Sequence, residues 1–186
     1  LQIIGGVATP GQAQAVANSS IYAFIADGEN GLSVYDISNP TFLTSVGGFN
    51  NGGIVSDIII EDTCAYLAHW ARDMTVIDIT NPNTPELITT FNTPGSVIDI
   101  YKVDSLMYLA DFFNGLVILD ISDLDSITEV GFASQIAAIS VAAVDSAIYV
   151  GSQSLGLITY AIADTAQPVV RDFDEISAWL LLNMSA

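Results

Sequence analysis

The chain of 186 residues is just over half hydrophobic and carries a net charge of −18, with Lys102, Arg72 and Arg171 as its only permanent cations. That length and apolar content suffice to bury a core in one or two domains. The charge excludes nucleic acid as a partner, because phosphate binding needs Lys and Arg to release counterions, and it disfavours anionic membrane surfaces on the same ground.

Internal repetition governs the predicted elements. Residues 26–38 read ADGENGLSVYDIS, 68–80 read AHWARDMTVIDIT, 110–122 read ADFFNGLVILDIS and 151–163 read GSQSLGLITYAIA, at steps of 42, 42 and 41 residues. Like residues fall into columns: Phe24, Tyr66, Tyr108 and Tyr149; Leu32, Met74, Leu116 and Leu157; Ile37, Ile79, Ile121 and Ile162. An Asp column, Asp36, Asp78 and Asp120, lapses to Ala161 in the fourth unit.

In chain order, residues 1–7 (LQIIGGV) match residues 43–49 (LTSVGGF) one period later with both Gly-Gly pairs in register, so 1–10 is predicted as the last strand of a preceding unit. Units follow at 11–52, 53–94, 95–135 and 136–175, and 176–186 should open another. The second unit resolves into strand a at 55–60, b at 63–69, c at 74–79 and d at 87–91. Strand b alternates aromatic with small residues, as a strand half-covered by neighbours should, whereas strand a is nearly continuous apolar sequence, as expected where both faces are buried. Asn39-Pro40 and Asn81-Pro82 break the chain after strand c, and Gly52-Gly53 and Pro94-Gly95 break it after strand d. The last strands fall at 169–173 and 176–183, and the apolar run 178–182 is too short to span a bilayer.

Four short strands per 40-odd residues are the signature of a propeller blade; a parallel β-solenoid would use shorter coils. The expected fold is all-β, a β-propeller with blades of four antiparallel strands: four complete units plus partial blades at both ends. Strands left unpaired at both ends predict a fragment of a larger propeller of about six to eight blades, the alternative being closure by pairing with another copy.

The phrases GLSVYDISNP, MTVIDITNP and GLVILDIS resemble the LVIVD repeat, and the resemblance covers nearly the whole chain. It implies a β-propeller and a bacterial or archaeal protein that is extracellular or at the cell surface. The fourth unit departs from the pattern, with Ala161 for the Asp and Asp164-Thr165 for Asn-Pro.

Few residues invite chemistry. Asp36, Asp78 and Asp120 each end strand c just before a turn, where a carboxylate accepts hydrogen bonds from turn amides. Asp57 and Asp99 share a strand-a column facing the expected axial channel. The resemblance implies a structural role for them, such as bonding to a neighbouring blade. The functional reading is an acidic channel holding Ca²⁺, although no calcium-loop motif supports it.

The b–c loops vary most, and Trp70, Arg72, Phe112 and Phe113 within them are the candidate partner-binding residues on one loop face. His69, the only histidine, is placed in such a loop, and a catalytic metal centre would gather several ligands. Cys64, the one cysteine, excludes an internal disulfide and reads as a buried, inert strand thiol. Asn18 and Asn183 head weak glycosylation sequons.

The expected function is a non-catalytic scaffold binding a protein or glycan, with no cofactor and no membrane insertion. The alternative is a propeller enzyme with Ca²⁺ or a transition metal near Asp57 and Asp99.

Overall fold

The computed structural model describes residues 1–70, 73–134, 136–144 and 147–162. Among these there is no helix, and none long and apolar enough to cross a membrane. The chain divides into two compact units, Leu1–Ile100 and Tyr101–Ala186.

Four antiparallel sheets follow one another along the sequence, each an up-and-down meander. The first comprises β1 (Ala15–Ser19), β2 (Tyr22–Ala26), β3 (Leu32–Asp36) and β4 (Thr44–Phe49). The second comprises β5 (Ile54–Glu61), β6 (Cys64–Trp70), β7 (Met74–Asp78) and β8 (Glu86–Phe91). The third comprises β9 (Val97–Val103), β10 (Leu106–Asp111), β11 (Gly115–Asp120) and β12 (Thr128–Ala133), and the fourth comprises β13 (Ala138–Val144), β14 (Ala147–Ser152) and β15 (Gly156–Ala161). These are the predicted a, b, c and d strands, displaced by a residue or two at their ends. Strand d of the fourth unit (169–173) and the strand expected at 176–183 lie outside the described residues.

The repeat is structural as well as sequential. The c–d ladder carries a register shift after Val34, after Val76 and after Ile118, one period apart each time. Such a bulge bends the outer strand and increases local twist. The a–b hairpins turn through two residues, the first of which, Ser20, Asp62 or Asp104, has φ between 50° and 54°. Polar residues with short side chains tolerate this left-handed backbone, and it matches the twist of paired strands.

Burial corrects two sequence expectations. Strand a was expected to be buried on both faces and strand b on one, but the order is reversed. In β6 five consecutive residues are buried, Ala65 to His69, while β5 has only Val55 and Ile58 buried. The reason is topological: strand a ends the sheet order, so strands b and c are flanked by strands on both sides. Alternation in b therefore separates two buried faces, with Phe24 and Ala26, or Tyr66 and Ala68, on one and Ala23, or Ala65 and Leu67, on the other.

Residues 1–14 form no strand, contrary to the strand expected at 1–7. Among the described residues no strand pairs with this segment to complete a ladder. Its place in the repeat is nevertheless kept: a Cβ on Gly5 would overlap the Pro40 carbonyl oxygen, just as one on Gly47 of β4 would overlap that of Pro82.

Each unit has its own core. In the first, Phe24, Leu32 and Val34 of the first sheet pack with Val55, Ile58, Leu67 and Ile77 of the second. In the second, Tyr108, Leu116 and Ile118 pack with Val141, Ile148, Val150 and Tyr160. Sheet-on-sheet burial of these branched and aromatic side chains supplies the main driving force for stacking the repeats.

Candidate binding surface

The two ends of the first three sheets are built differently. At the end holding the a–b and c–d connections, the turns repeat atom for atom. The amide of Ser38 donates to Asp36 Oδ1 (2.8 Å), that of Thr80 to Asp78 Oδ1 (2.7 Å) and that of Ser122 to Asp120 Oδ1 (2.9 Å). Three residues on, a second Asx turn follows: Thr41 donates to Asn39 (3.1 Å), Asn83 to Asn81 (3.2 Å) and Asp125 to Asp123 (3.0 Å). Backbone bonds close the same loops, from Phe42 to Asn39, Thr84 to Asn81 and Ser126 to Asp123.

These bonds favour the ionised carboxylate. The Ser38 and Thr80 side chains and then their amides hold Asp36 and Asp78 below the usual carboxylate range; for Asp120 the Ser122 amide leads. The Asp column is thus a set of turn formers, as its position before the break suggested.

The b–c end varies from repeat to repeat. Asp27, His69, Asp111 and Ser152 occupy one column there, and all four are buried. His69, which ends the expected strand b at 63–69 and is also counted there with the b–c loop, is a buried residue of β6 and not a loop residue, because the strand runs through to Trp70 before the chain turns. Asp27 accepts four hydrogen bonds there. Its Oδ1 accepts from Thr9 Oγ1 (2.6 Å), and its Oδ2 accepts from the Gly11 amide (3.1 Å), Asn30 Nδ2 (3.3 Å) and Ser33 Oγ (2.9 Å). Two of these four bonds fasten the N-terminal segment to the first sheet.

Beyond that buried layer stand the aromatics. Trp70 and Phe112 occupy equivalent repeat positions, with Gly28 and Gln153 in the other units. Trp70, in the first unit, is 41% exposed, and Phe113, in the second, is 75% exposed. Phe112 and Phe113 stack edge to face, their centroids 4.9 Å apart and their planes at 84°, a favoured geometry for aromatic pairs. Arg72 lies outside the described residues.

The channel candidates behave as structural residues where bonds are resolved. Asp57 Oδ2 accepts the Ile100 amide (3.1 Å), linking the second sheet to the first strand of the third, and the neighbouring Ser56 hydroxyl donates to Val97 O (3.0 Å). Asp99 is half-buried in β9. Among the described residues no group of three or more His, Cys, Asp or Glu is placed to hold a metal ion.

Cys64 is half-buried rather than buried. Burial pushes its thiol up, the Thr63 hydrogen bond opposes this, and the Asp78, Asp62 and Glu61 carboxylates add to the rise. That rise favours the protonated thiol.

Three successive four-stranded antiparallel sheets turning through the same Asx pair, with sheet packed on sheet inside each compact unit, define a β-propeller-like repeat protein. The LVIVD repeat model matches residues 10–51, 52–93 and 94–133, and the chain belongs to that family. Among solved structures, it is similar in fold to the computationally designed Ika4 protein, at 11% identity and a TM-score of 0.66, over 88% of this chain and 99% of that one. The computationally designed Ika8 protein matches at 11% identity and a TM-score of 0.65, over 81% of this chain and 46% of that one. Among the curated proteins none matches.

Proposed function

We propose that this chain is a β-propeller module that works as a non-catalytic binding scaffold outside the cell or at its surface, presenting its b–c loops to a protein or glycan partner. The observation that carries the reading is the contrast between the two ends of the sheets. One end repeats the same turn bonds in three units, while the other end changes residue by residue and exposes Trp70 and Phe113. Variation on a constant frame is how repeat scaffolds make binding surfaces. Exposed aromatics supply large contact area at small entropic cost, and they suit the apolar faces of sugar rings as well as protein side chains.

A surface location is supported by the family resemblance and by a net charge of −18, which favours solubility. The metal-enzyme alternative gains nothing from Asp57, whose carboxylate already serves the Ile100 amide.

The test uses the purified chain against an array of glycans and a panel of soluble polysaccharides and cell-surface proteins. Phe113→Ala and Trp70→Ala should fold normally and lose at least about tenfold in affinity, on the order of a modest hot spot. Unchanged binding by both variants would reject the loop face as the binding surface.

A further inference from the structure

A hollow of about 300 Å³ lies beside the b–c loop of the first sheet, wholly within the first unit. Its wall includes Pro10, Asn30 and Asn50, together with Ser33 of β3 and Ser45 and Phe49 of β4. No charged side chain of the described residues lines it, in a chain with 21 acidic residues. Gly48 stands opposite Ser33 and brings no side chain to the hollow, whereas the second sheet has Thr90 opposite Thr75 and the third has Phe132 opposite Val117. Ser45 likewise gives way to Leu87 and Glu129 at the same ladder position. The polar set is thus particular to the first sheet, and the repeated frame does not demand it.

Hydrogen bonding fixes which way this wall is polarised. Asn30 Nδ2 donates inward to Asp27 Oδ2 (3.3 Å) and Ser33 Oγ (3.0 Å), and the Ser33 hydroxyl donates to Asp27 Oδ2 (2.9 Å). The buried carboxylate draws in the donors of both side chains. What remains of each is acceptor capacity, at Asn30 Oδ1 and at a lone pair of Ser33 Oγ. Asn50 is held in place by donating to Glu29 O (3.0 Å) and accepting the Gly52 amide (2.8 Å), so part of the wall is ordered before any ligand arrives. Ser45 is exposed and adds a hydroxyl that can donate or accept.

This lining selects by chemistry. An anion would meet acceptors and the field of an acidic chain, with no Lys or Arg among the described residues of the wall. An apolar ligand would strip water from amides and hydroxyls and leave them unpaired. An ammonium would find acceptors but no open charge partner, since the Asp27 oxygens already accept four bonds. A neutral ring bearing several hydroxyls meets both demands: its hydroxyls donate to Asn30 and Ser33, and its C–H faces lie on Pro10 and Phe49. We propose that this hollow binds one neutral sugar ring, its volume being near the low end for small-molecule sites. The site deepens the glycan side of the scaffold reading and rests on it, but it is made by other residues than Trp70 and Phe113.

The test titrates the purified chain with glucose, galactose, mannose and N-acetylglucosamine, followed by saturation-transfer NMR. Glucuronate, galacturonate and butylammonium serve as charged probes. At least one neutral sugar should bind in the millimolar range, with each charged probe at least about tenfold weaker. Ser45→Leu fills the hollow with the side chain that the second sheet carries at this place. It should keep the wild-type thermal midpoint and lose at least about tenfold in sugar affinity. Asn30→Ala removes an acceptor from the opposite wall and should weaken the sugar by a similar factor, an independent reading. Trp70→Ala should bind these monosaccharides like wild type whatever it does to a larger partner, which separates this site from the loop aromatics. No binding by any of the neutral sugars, a charged probe that binds as tightly, or a folded Ser45→Leu variant that binds like wild type would overturn the proposal. So would loss of the monosaccharide in Trp70→Ala, which would assign the site to the aromatics.

Discussion

Asp78 shows how much of a carboxylate's role can rest on two neighbouring atoms. It accepts the Thr80 amide at 2.7 Å, and the Thr80 hydroxyl and amide together hold it below the usual carboxylate range. A pKa lowered by folding means that the folded chain binds its proton less readily than the unfolded one. The contribution to stability is present above the unfolded value, near pH 4, and is lost as pH falls through the lower folded value. Asp78→Ala should lower the thermal midpoint at pH 7 by roughly 2–4 °C, as for a lost local cap in a chain of this size. Asp78→Asn keeps an acceptor for the Thr80 amide, so it should stay near wild type at pH 7 and lose less stability between pH 5 and pH 3. Thermal melts across that range check both, and an Asn variant with the same acid loss as wild type would refute the assignment. This role was legible in the sequence because both partners lie within two residues. That of Asp27 was not: its partners Thr9 and Gly11 lie 18 and 16 residues away, and only the fold brings them to it.

At the scale of the strand, the Gly-Gly pairs show where a sequence pattern carries packing information. The match between residues 1–7 and 43–49 placed Gly5 and Gly47 in one column, and in the structure each lies against the proline carbonyl at the start of a c–d turn. For Gly47 that carbonyl belongs to Pro82 of the next sheet, so the glycine sets how closely β4 approaches it. Gly47→Ala must push the sheets apart at this point and should cost about 1–3 kcal/mol, the usual range for overpacking. Gly6→Ala is the control: nothing lies within 4 Å of its Cβ, and its effect should stay within about 0.5 kcal/mol. Denaturant midpoints of the two variants decide, and equal midpoints would mean that the close approach sets nothing. Which strands are buried was less legible. An apolar run signals burial somewhere, but not whether a strand sits inside a sheet or at its edge, and strand a, the most apolar in sequence, proved to be an edge. His69 was misplaced for a related reason, since a polar residue near a loop looks like loop until the ladder is seen to run through Trp70.

For the whole molecule, the 42-residue period made the succession of sheets readable, because each column recurs often enough to separate signal from chance. The loop surface was readable only as far as which residues vary; exposure and the Phe112–Phe113 stacking depend on how each loop turns after strand b. Charge is the other whole-chain property, and it carries a prediction of its own. With 21 acidic residues against three Lys and Arg, the folded chain concentrates like charges that the expanded chain keeps apart. Self-repulsion of this kind destabilises the compact state, and salt relieves it by shortening the Debye length from about 30 Å at 0.01 M to about 8 Å at 0.15 M. Screening would also weaken attractive ion pairs, but three Lys and Arg can form few of them, so the repulsive part prevails and stability should rise with salt. At pH 7 the thermal midpoint should climb by several degrees, roughly 1–2 kcal/mol of stability, between 0.01 M and 0.5 M NaCl. Near pH 4.1, the sequence pI, the net charge vanishes and the same salt step should move the midpoint little. The absolute midpoint at pH 4.1 will differ, since the Asx carboxylates begin to protonate there, so the quantity to compare is the salt slope at each pH. A midpoint that is flat or falling with salt at pH 7 would show that the acidic residues are spaced too widely to repel. An equal slope at both pH values would assign the effect to strengthened apolar burial rather than to charge.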